Sequence, residues 1–250
     1  VLYPGQSFRG DRLEVYLRRN LRNGAKRLDP LPILPPGRYF LELFSGWSGL
    51  TSAVHRLGGR VAPPFDRDFG PAFDILCPRT QAVLLRWIRN GIIGVLWIAI
   101  PCTLVSVANN SSANDPSKSH EYQRLLTVCE VLIRAARQNY CYVVVENPRG
   151  SRLWGNRKFA KTLRGLHFVD YVCCAHGASY QKHQRLCTDL VPLFQLASQC
   201  TCTDSVLPHE HLSGKVKIPV DGYGQPTHPD HSTKKQWFWK SCLAGKYLPQ

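Results

Sequence analysis

The stretch Val95–Ile100 reads VLWIAI, a continuous apolar run that ends at Pro101 and Cys102. An uninterrupted apolar run of this length is typical of a strand that is buried on both faces of a sheet. Similar runs lie on both sides of it in the chain, namely YFLELF, GRVAPPF, CYVVVE and FVDYVCCA. The pattern favours a parallel sheet, and it raises the question of why a cysteine stands where the run ends.

A long amphipathic helix is predicted between the third and fourth runs. Its apolar residues fall on one helical stripe: Leu125, Leu126, Cys129, Leu132, Ile133 and Ala136. Strand and helix alternate over residues 39–185, which predicts an α/β protein with a doubly wound, mostly parallel sheet. Residues 1–38 are predicted to form a basic, Pro-rich extension, and residues 186–250 a smaller Cys- and His-rich unit.

Composition limits the classes of protein to consider. The chain has 250 residues, 44% of them hydrophobic, which is enough to bury a sizeable core. Its formal net charge of +15 favours nucleic acid as a partner, although a merely basic globular protein is the simpler alternative. No apolar stretch is long enough to span a membrane and no signal peptide is recognisable. We therefore expect an intracellular protein, nuclear if its source is eukaryotic, with reduced cysteines.

Candidate functional residues follow the predicted strands at their carboxyl ends, where ligands bind in sheets of this class. The first strand runs into ELFSGWSGL, where Gly46 and Gly49 allow the backbone to approach a ligand closely. Asp66 follows the second run, at the position where such folds commonly hold a ribose hydroxyl, and Asp74 falls in the same neighbourhood. A plain tight turn and ordinary surface or capping acids are the alternatives for these residues.

Further groups complete this edge of the predicted sheet. Cys102 follows the third run, Glu146 ends the fourth in VENP, and QKHQR (Gln181–Arg185) follows the fifth. Taken together, FLELFSGWSGL, IPCTLVS, VENP and the Gln-x-His-x-Arg stretch resemble the cytosine-5 DNA methyltransferases, in this order and at these strand ends. The resemblance covers residues 39–185 and is strongest to the compact, divergent members found in some mobile-element polyproteins.

The resemblance implies a Rossmann-like fold that binds S-adenosylmethionine. It implies Cys102 as the nucleophile, Glu146 as the acid that hydrogen-bonds the target cytosine, and Arg185 as a positive neighbour of the thiolate, with His183 beside it. The implied reaction is methyl transfer to C5 of cytosine in DNA through a covalent cysteine adduct, with the base turned out of the stack. The implied cofactor residues, with Asp66 at the ribose and Asp74 at the adenine, are Phe44, Gly46, Gly49, Asp66, Asp74 and Pro101.

The chain departs from the family pattern beside its motifs. Ser48, Ile100, Thr103 and His183 stand where the family has glycine, proline, glutamine and arginine. The nucleophile and the acid are both retained. Two alternatives stay open at the level of sequence: the same reaction on RNA, and a non-catalytic basic module that binds nucleic acid. For Cys102 itself the alternative is packing as a small buried side chain.

A second constellation lies in CTCTDSVLPHEH, where Cys200 and Cys202 are followed by His209 and His211. Two thiols and two imidazoles form a ligand set that suits tetrahedral zinc, and a small unit without an apolar core needs such a staple. Surface histidines and incidental thiols are the alternative. Nearby cysteines that are able to replace one ligand are Cys173, Cys174 and Cys187, although strand placement favours the core for the first two.

Overall fold

The computed structural model describes residues 34, 36–102, 116–202, 209–210, 215–219 and 235–239, and gives the backbone alone for 116–118, 215–219 and 235–239. Most of the predicted N-terminal extension and His211 therefore lie outside the described residues. Leu34, the first described residue, is buried in the main hydrophobic core.

A five-stranded sheet organises the described part of the chain, in the order β1-β2-β3-β5-β4. β1, β2 and β3 run parallel, whereas β5 is antiparallel to both β3 and β4. The predicted α/β class with a mostly parallel sheet is confirmed. The strands are β1 (Tyr39–Leu43), β2 (Ile93–Ala99), β3 (Tyr142–Pro148), β4 (His167–Val172) and β5 (His183–Thr188).

The second apolar run, GRVAPPF, lies along the outer side of β1 without forming a full strand. Parallel bridges join Phe40 to Val61 and Leu43 to Phe65. Pro63 and Pro64 have no N–H group to donate to a ladder, which explains why the pairing is intermittent. The run nevertheless ends beside the carboxyl end of β1, where the predicted cofactor residues lie.

Helices cover both faces of the sheet, as expected for a doubly wound fold. One face is covered by α2, α3 and α4, and the other by α1 and a 3-10 segment, Val191–Leu196. The predicted amphipathic helix is α3, and its apolar stripe from Leu126 to Ala136 is buried. The helices are α1 (Gly49–Arg56), α2 (Pro78–Arg89), α3 (Pro116–Gln138) and α4 (Arg157–Thr162).

The remaining elements are short. β6 (Lys215–Pro219) and β7 (Lys235–Trp239) form a separate antiparallel pair. The predicted boundary at residue 185 falls inside β5, which continues to Thr188. None of the described helices has the length and apolar character needed to cross a membrane. Further 3-10 turns are Arg67–Phe69, Pro71–Phe73, Arg152–Gly155 and Cys173–His176.

Glu42, a buried acid in β1, supplies the cap of α1. Ser48 at the N-cap makes no side-chain cap hydrogen bond, and Glu42 Oε2 instead accepts from the backbone N–H of Thr51 at 2.9 Å and from its hydroxyl. The bonds satisfy a helix N–H group that has no partner within the helix. Burial raises the pKa of Glu42 to about 7; the bonds from Thr51 lower it, and the charges of Glu146 and Asp66 raise it.

Glu42 makes the stability of the fold depend on pH. Between its ordinary pKa of 4.5 and about 7, the folded chain keeps a proton that the unfolded chain has lost, so the free energy of unfolding falls as the pH rises through this window. Glu42→Gln should remove this part of the fall, up to about 3 kcal/mol between about pH 4 and pH 8. Chemical denaturation of both proteins across that range measures the difference.

Thr51→Val provides a second variant for the same measurement. It removes the hydroxyl donor to Glu42 but keeps the backbone N–H, so the ionised carboxylate loses one stabilising bond. The upper end of the pH window should therefore move upwards, while the lower end, set by the unfolded chain, stays the same. Equal pH slopes for the wild-type and Glu42→Gln proteins would contradict the role given to this acid.

Candidate active site

The loop between β1 and α1 has an unusual backbone. Phe44, Gly46 and Ser48 have φ angles of 60°, 53° and 58°, a region that only glycine adopts without steric cost. The two non-glycine residues, Phe44 and Ser48, each cost roughly 1–3 kcal/mol in this region, and such strained residues cluster at ligand sites. A Cβ added at Gly46 would meet nothing within 4 Å, so the loop opens onto free space there. Gly49 is the first residue of α1.

Asp66 ties this loop to the segment beside β1. Its Oδ2 accepts the backbone N–H of Gly46 at 2.9 Å, and its Oδ1 accepts that of Asp68 at 3.1 Å. Burial raises the pKa of Asp66, and these two bonds act in the opposite direction. The structure thus joins two of the predicted cofactor residues, Gly46 and Asp66. Asp74 bonds within its own turn, where its Oδ1 accepts the N–H of Leu76 at 2.8 Å.

Cys102 stands just beyond the end of β2. The strand ends at Ala99, and the chain continues through buried Ile100 and half-buried Pro101 to Cys102, which is half-buried against the main core. The side-chain amide of Asn147 donates to the carbonyl oxygen of Ile100 at 2.6 Å. This bond fastens the peptide before Pro101 to the end of the neighbouring strand β3.

Glu146 is buried at the end of β3, and both of its carboxylate oxygens accept hydrogen bonds. Trp97 Nε1 donates to Oε2 at 3.0 Å, and Gln184 Nε2 donates to Oε1 at 3.2 Å. Ala99 of β2 lies beside Glu146 in the parallel register. Cys102 and Glu146 therefore lie at the ends of neighbouring strands, at the same carboxyl end of the sheet. Glu146 is held by hydrogen bonds from the strands on both sides, β2 and β5.

Two buried amide oxygens at this edge, Asn147 Oδ1 and Gln184 Oε1, have no hydrogen-bond partner within the described residues. The amino groups of the same side chains are committed to Ile100 and Glu146. A buried acceptor without a partner costs about 1–3 kcal/mol unless water or a ligand satisfies it. The edge therefore offers acceptors that suit an N–H donor from a bound molecule.

Arg185 and His183 lie on the opposite face of β5 from the groups that surround Glu146. Residues paired across antiparallel strands share a face, and Glu146 pairs with Leu186, whereas Arg185 pairs with Asn147. His183, two residues before Arg185, shares the face of Arg185 and is exposed at the start of the strand. Alternation thus separates the basic residues of the Gln-x-His-x-Arg stretch from the acid.

The guanidinium of Arg185 is engaged in a bidentate ion pair. Its Nε and Nη2 donate to the carboxylate of Asp170 at 2.6 and 2.7 Å, and the pair lowers the pKa of Asp170. The same guanidinium lies 4.7 Å from the ring centroid of Phe168. These contacts brace β4 against β5. The role of Arg185 beside the Cys102 thiolate stays a prediction.

Several residues of the site received no role from the sequence. Asn147 belongs to the VENP motif, which was the one signal that pointed to it. Trp97 and Tyr122 look like ordinary core aromatics, and Gln184 is one polar residue among several. Tyr122, on α3, has a buried hydroxyl; burial raises its pKa, and nearby thiols, Cys102 among them, raise it further.

A second cluster contains Cys174, Cys200, Cys202 and His209. Their ligand atoms all lie within 4.8 Å of one another, and Cys200 Sγ is 3.5 Å from His209 Nε2. Three of these residues belong to the predicted zinc set. His211, the fourth predicted ligand, lies outside the described residues, and Cys174 joins the others in the described part of the chain.

No protein-family model and no curated protein matches the chain. Among solved structures, it is similar to the crystal structure of the S. pombe Dnmt2 methyltransferase, with a TM-score of 0.42 and 13% sequence identity. The match covers 68% of this chain and 58% of that one, so the chain spans less than two thirds of that structure. The function proposed below rests on the motifs and contacts at the sheet edge rather than on this overall similarity.

Proposed function

We propose that this protein transfers a methyl group from S-adenosylmethionine to C5 of cytosine in DNA, through a covalent adduct with Cys102. One observation carries the proposal: the ends of β2 and β3 are joined, with Asn147 holding the Ile100 carbonyl and Glu146 fixed beside it. A thiol and a hydrogen-bonding acid thus occupy one edge, in motifs that resemble the cytosine-5 methyltransferases.

The residues at the end of β1 fit S-adenosylmethionine. The loop Phe44–Gly49 opens onto free space at Gly46, and the half-buried carboxylate of Asp66 is bonded to that loop. We assign Asp66 to the ribose hydroxyls, Asp74 to the adenine, and Pro101 to the side of the pocket nearest the nucleophile. When bound, S-adenosylmethionine supplies the electrophilic methyl group that C5 takes up.

The chain's own groups perform the activation of the base. The target cytosine must leave the stack to reach this edge. The Cys102 thiolate then bonds to C6, and the electron pair of the C5=C6 bond becomes available at C5. Glu146 gives a proton to N3, and its carboxylate then accepts hydrogen bonds from N3–H and from the exocyclic amino group, which stabilises the activated ring; N3 returns this proton when the ring is restored. Once C5 carries its methyl group, loss of the C5 proton to solvent and departure of the thiolate restore the ring.

Trp97 and Gln184 act on this reaction through Glu146. Each donates one hydrogen bond to the carboxylate, from β2 and β5 respectively, and both side chains are buried. An acid held at both oxygens keeps one orientation without reorganising during the reaction. They are therefore positioning residues.

Exposed cations that follow the site residue Glu146 in the chain support a nucleic acid substrate. Arg149, Arg152 and Arg157 follow Glu146 in the chain, between the end of β3 and the start of α4, and all three are exposed. The net charge of +15 acts in the same direction. Phosphate contacts of this kind give affinity without sequence information. The resemblance favours DNA, and RNA is the competing substrate in the trapping experiment below.

Asp66→Asn should weaken the binding of S-adenosylhomocysteine, the demethylated product, by about tenfold, which corresponds to about 1.4 kcal/mol. The physical reason is that a carboxylate accepts ribose hydroxyls more strongly than an amide does. Isothermal titration calorimetry measures the affinity. Asp68→Asn removes a neighbouring exposed carboxylate and should leave it unchanged. If the unaltered protein binds no product, methyl transfer from this cofactor is ruled out.

An oligonucleotide that contains 5-fluorocytosine should trap the protein covalently in the presence of S-adenosylmethionine, because fluorine at C5 cannot leave as a proton. Cys102→Ser should abolish the adduct, since a hydroxyl is a far poorer nucleophile than a thiolate. Glu146→Gln should slow its formation by about 100-fold. Denaturing electrophoresis and mass spectrometry detect the adduct, and parallel DNA and RNA oligonucleotides identify the substrate.

Controls for trapping separate chemistry from binding. Both variants should keep salt-sensitive binding to the oligonucleotide, because phosphate contacts supply most of that affinity. Cys77→Ser changes another half-buried thiol, at the start of α2, and should trap like the wild type. Binding without any adduct in the wild-type protein would favour the non-catalytic module. An adduct that persists in Cys102→Ser would assign the reaction to a different cysteine.

Trp97→Phe should slow adduct formation about tenfold and leave cofactor affinity unchanged. The aromatic ring keeps its packing, while Glu146 loses one donor, a loss of about 1.5 kcal/mol for a bond to a charged group. Gln184→Leu removes the other donor and should have an effect of similar size. A fall in cofactor affinity with an unchanged rate would contradict the positioning role of these side chains.

A further inference from the structure

We propose that Cys174, Cys200, Cys202 and His209 bind one zinc ion, which fastens the segment after β5 to the outer edge of the sheet. All four ligand atoms lie within 4.8 Å of one another. The metal site needs neither the methyl donor nor nucleic acid, so it stands apart from the function proposed above.

The distances within the cluster match tetrahedral coordination. Zn–S bonds of about 2.3 Å and Zn–N bonds of about 2.0–2.1 Å place sulfur and nitrogen ligands about 3.6 Å apart. The distance from Cys200 Sγ to His209 Nε2 is 3.5 Å. No two ligand atoms of the cluster lie more than 4.8 Å apart, so shifts of at most about 1 Å bring them to tetrahedral spacing. Three thiolates and one imidazole form a recurrent ligand set for structural zinc.

Ordinary packing does not account for this cluster. Cys174, Cys200 and Cys202 are free thiols, half-buried, and belong to neither hydrophobic core of the described chain. Cys174 lies beside both of the other thiols, and Gln181 lies beside Cys200. A thiol that packs as a small apolar group lies in the core, as Cys129 does on α3.

The fold explains how Cys174 reaches the other ligands. The apolar run that forms β4 was expected to continue through it, but the strand ends at Val172 and the chain turns into the 3-10 segment Cys173–His176. A residue in that turn is released from the alternation of the sheet. Cys200, Cys202 and His209 follow β5 in the chain, and their ligand atoms lie within 4.8 Å of that of Cys174.

Hydrogen bonds around the cluster already hold the same segments together. Ser198 Oγ accepts the backbone N–H of Val172 at 3.3 Å, on the outer edge of β4. Glu210 donates its N–H to the carbonyl of Ser179 at 2.8 Å, and Ser179 Oγ donates to Glu210 Oε2 at 3.0 Å. These bonds bring His209 to the tip of the β4–β5 hairpin, where the metal would complete the connection.

The ligand set gives the ion a structural role. Four protein ligands leave no open coordination position, so no substrate or water is activated there. The segment that the ion fastens covers part of the outer edge of β4, an edge that otherwise offers unpaired backbone groups. The hairpin it braces also carries Gln184, the donor to Glu146. That last consequence rests on the proposed function, whereas the metal binding does not.

The full chain, purified with a reducing agent and supplied with Zn²⁺, should contain about one zinc per chain by elemental mass spectrometry. A chelator should lower its melting temperature. Co²⁺ in place of zinc should give the absorption of a tetrahedral, thiolate-bound ion. Cys174→Ser should weaken zinc binding at least tenfold and lose thiolate-to-cobalt intensity. Cys173→Ser, the adjacent cysteine, and His211→Ala should keep both the zinc and the spectrum.

Several outcomes would overturn the assignment. Wild-type protein that takes up no zinc removes the site, and Cys174→Ser protein that keeps full zinc and an unchanged cobalt spectrum removes Cys174 from it. Cys174→His retains a ligand and decides the case in which Cys174→Ser does not fold: zinc should stay bound, with a cobalt spectrum that reports one thiolate fewer. An unchanged spectrum there overturns the role of Cys174. If zinc is bound but 5-fluorocytosine does not trap the protein, the result contradicts the proposed function and leaves the metal site intact.

Discussion

Burial of the parallel strands on both faces is the constraint on which the rest of this structure depends. β1, β2 and β3 lie between two helical layers, so a polar side chain within them has no access to water. Each one must find a partner inside the protein. Glu42 finds it in Thr51, and Glu146 finds it in Trp97 and Gln184. Polar chemistry is therefore confined to the carboxyl ends of the strands, where these partners are available.

The same constraint couples the two buried acids. Glu42 and Glu146 lie on the same side of the sheet, as their registers with Trp97 and Ala99 show. Burial, assisted by the charge of Glu146, raises the pKa of Glu42 to about 7. A carboxyl that keeps its proton near neutral pH adds less negative charge beside Glu146. Glu42, which caps α1, and Glu146, at the end of β3, thus interact electrostatically as well as through the sheet.

The apolar runs were sufficient to predict β1 to β4, the helix α3 and the position of Cys102 and Glu146 at a common edge. β5 was not predicted, because HQRLCT has neither a continuous apolar run nor a simple alternation. Its buried Gln184 is stabilised by Glu146 rather than by apolar neighbours, and only the folded sheet brings these two residues together. Hydrophobic pattern cannot reveal a strand whose burial depends on a hydrogen bond made across 38 residues of chain.

The proposed zinc ligands are a second case in which the hydrophobic pattern was not sufficient. Cys200, Cys202 and His209 were predicted because two close thiols are followed by two close imidazoles, whereas Cys174 was assigned to the core, because the run that contains it is typical of a strand. Where a strand ends is the least reliable part of such a reading. The strand ends at Val172, two residues before Cys174, and the thiol therefore lies in the cluster instead of the sheet.

β5 links the candidate active site to the outer strand β4, because its two faces make different contacts. On one face, Gln184 holds Glu146; on the other, Arg185 forms an ion pair with Asp170 of β4. β4 is the outermost strand, so its position depends on β5 and on the segment that returns along its free edge through Ser198. Loosening that edge would act first on the Arg185–Asp170 pairing and then, through β5, on Gln184. The order of the strands therefore makes the outer edge of the sheet part of what holds Glu146 in place.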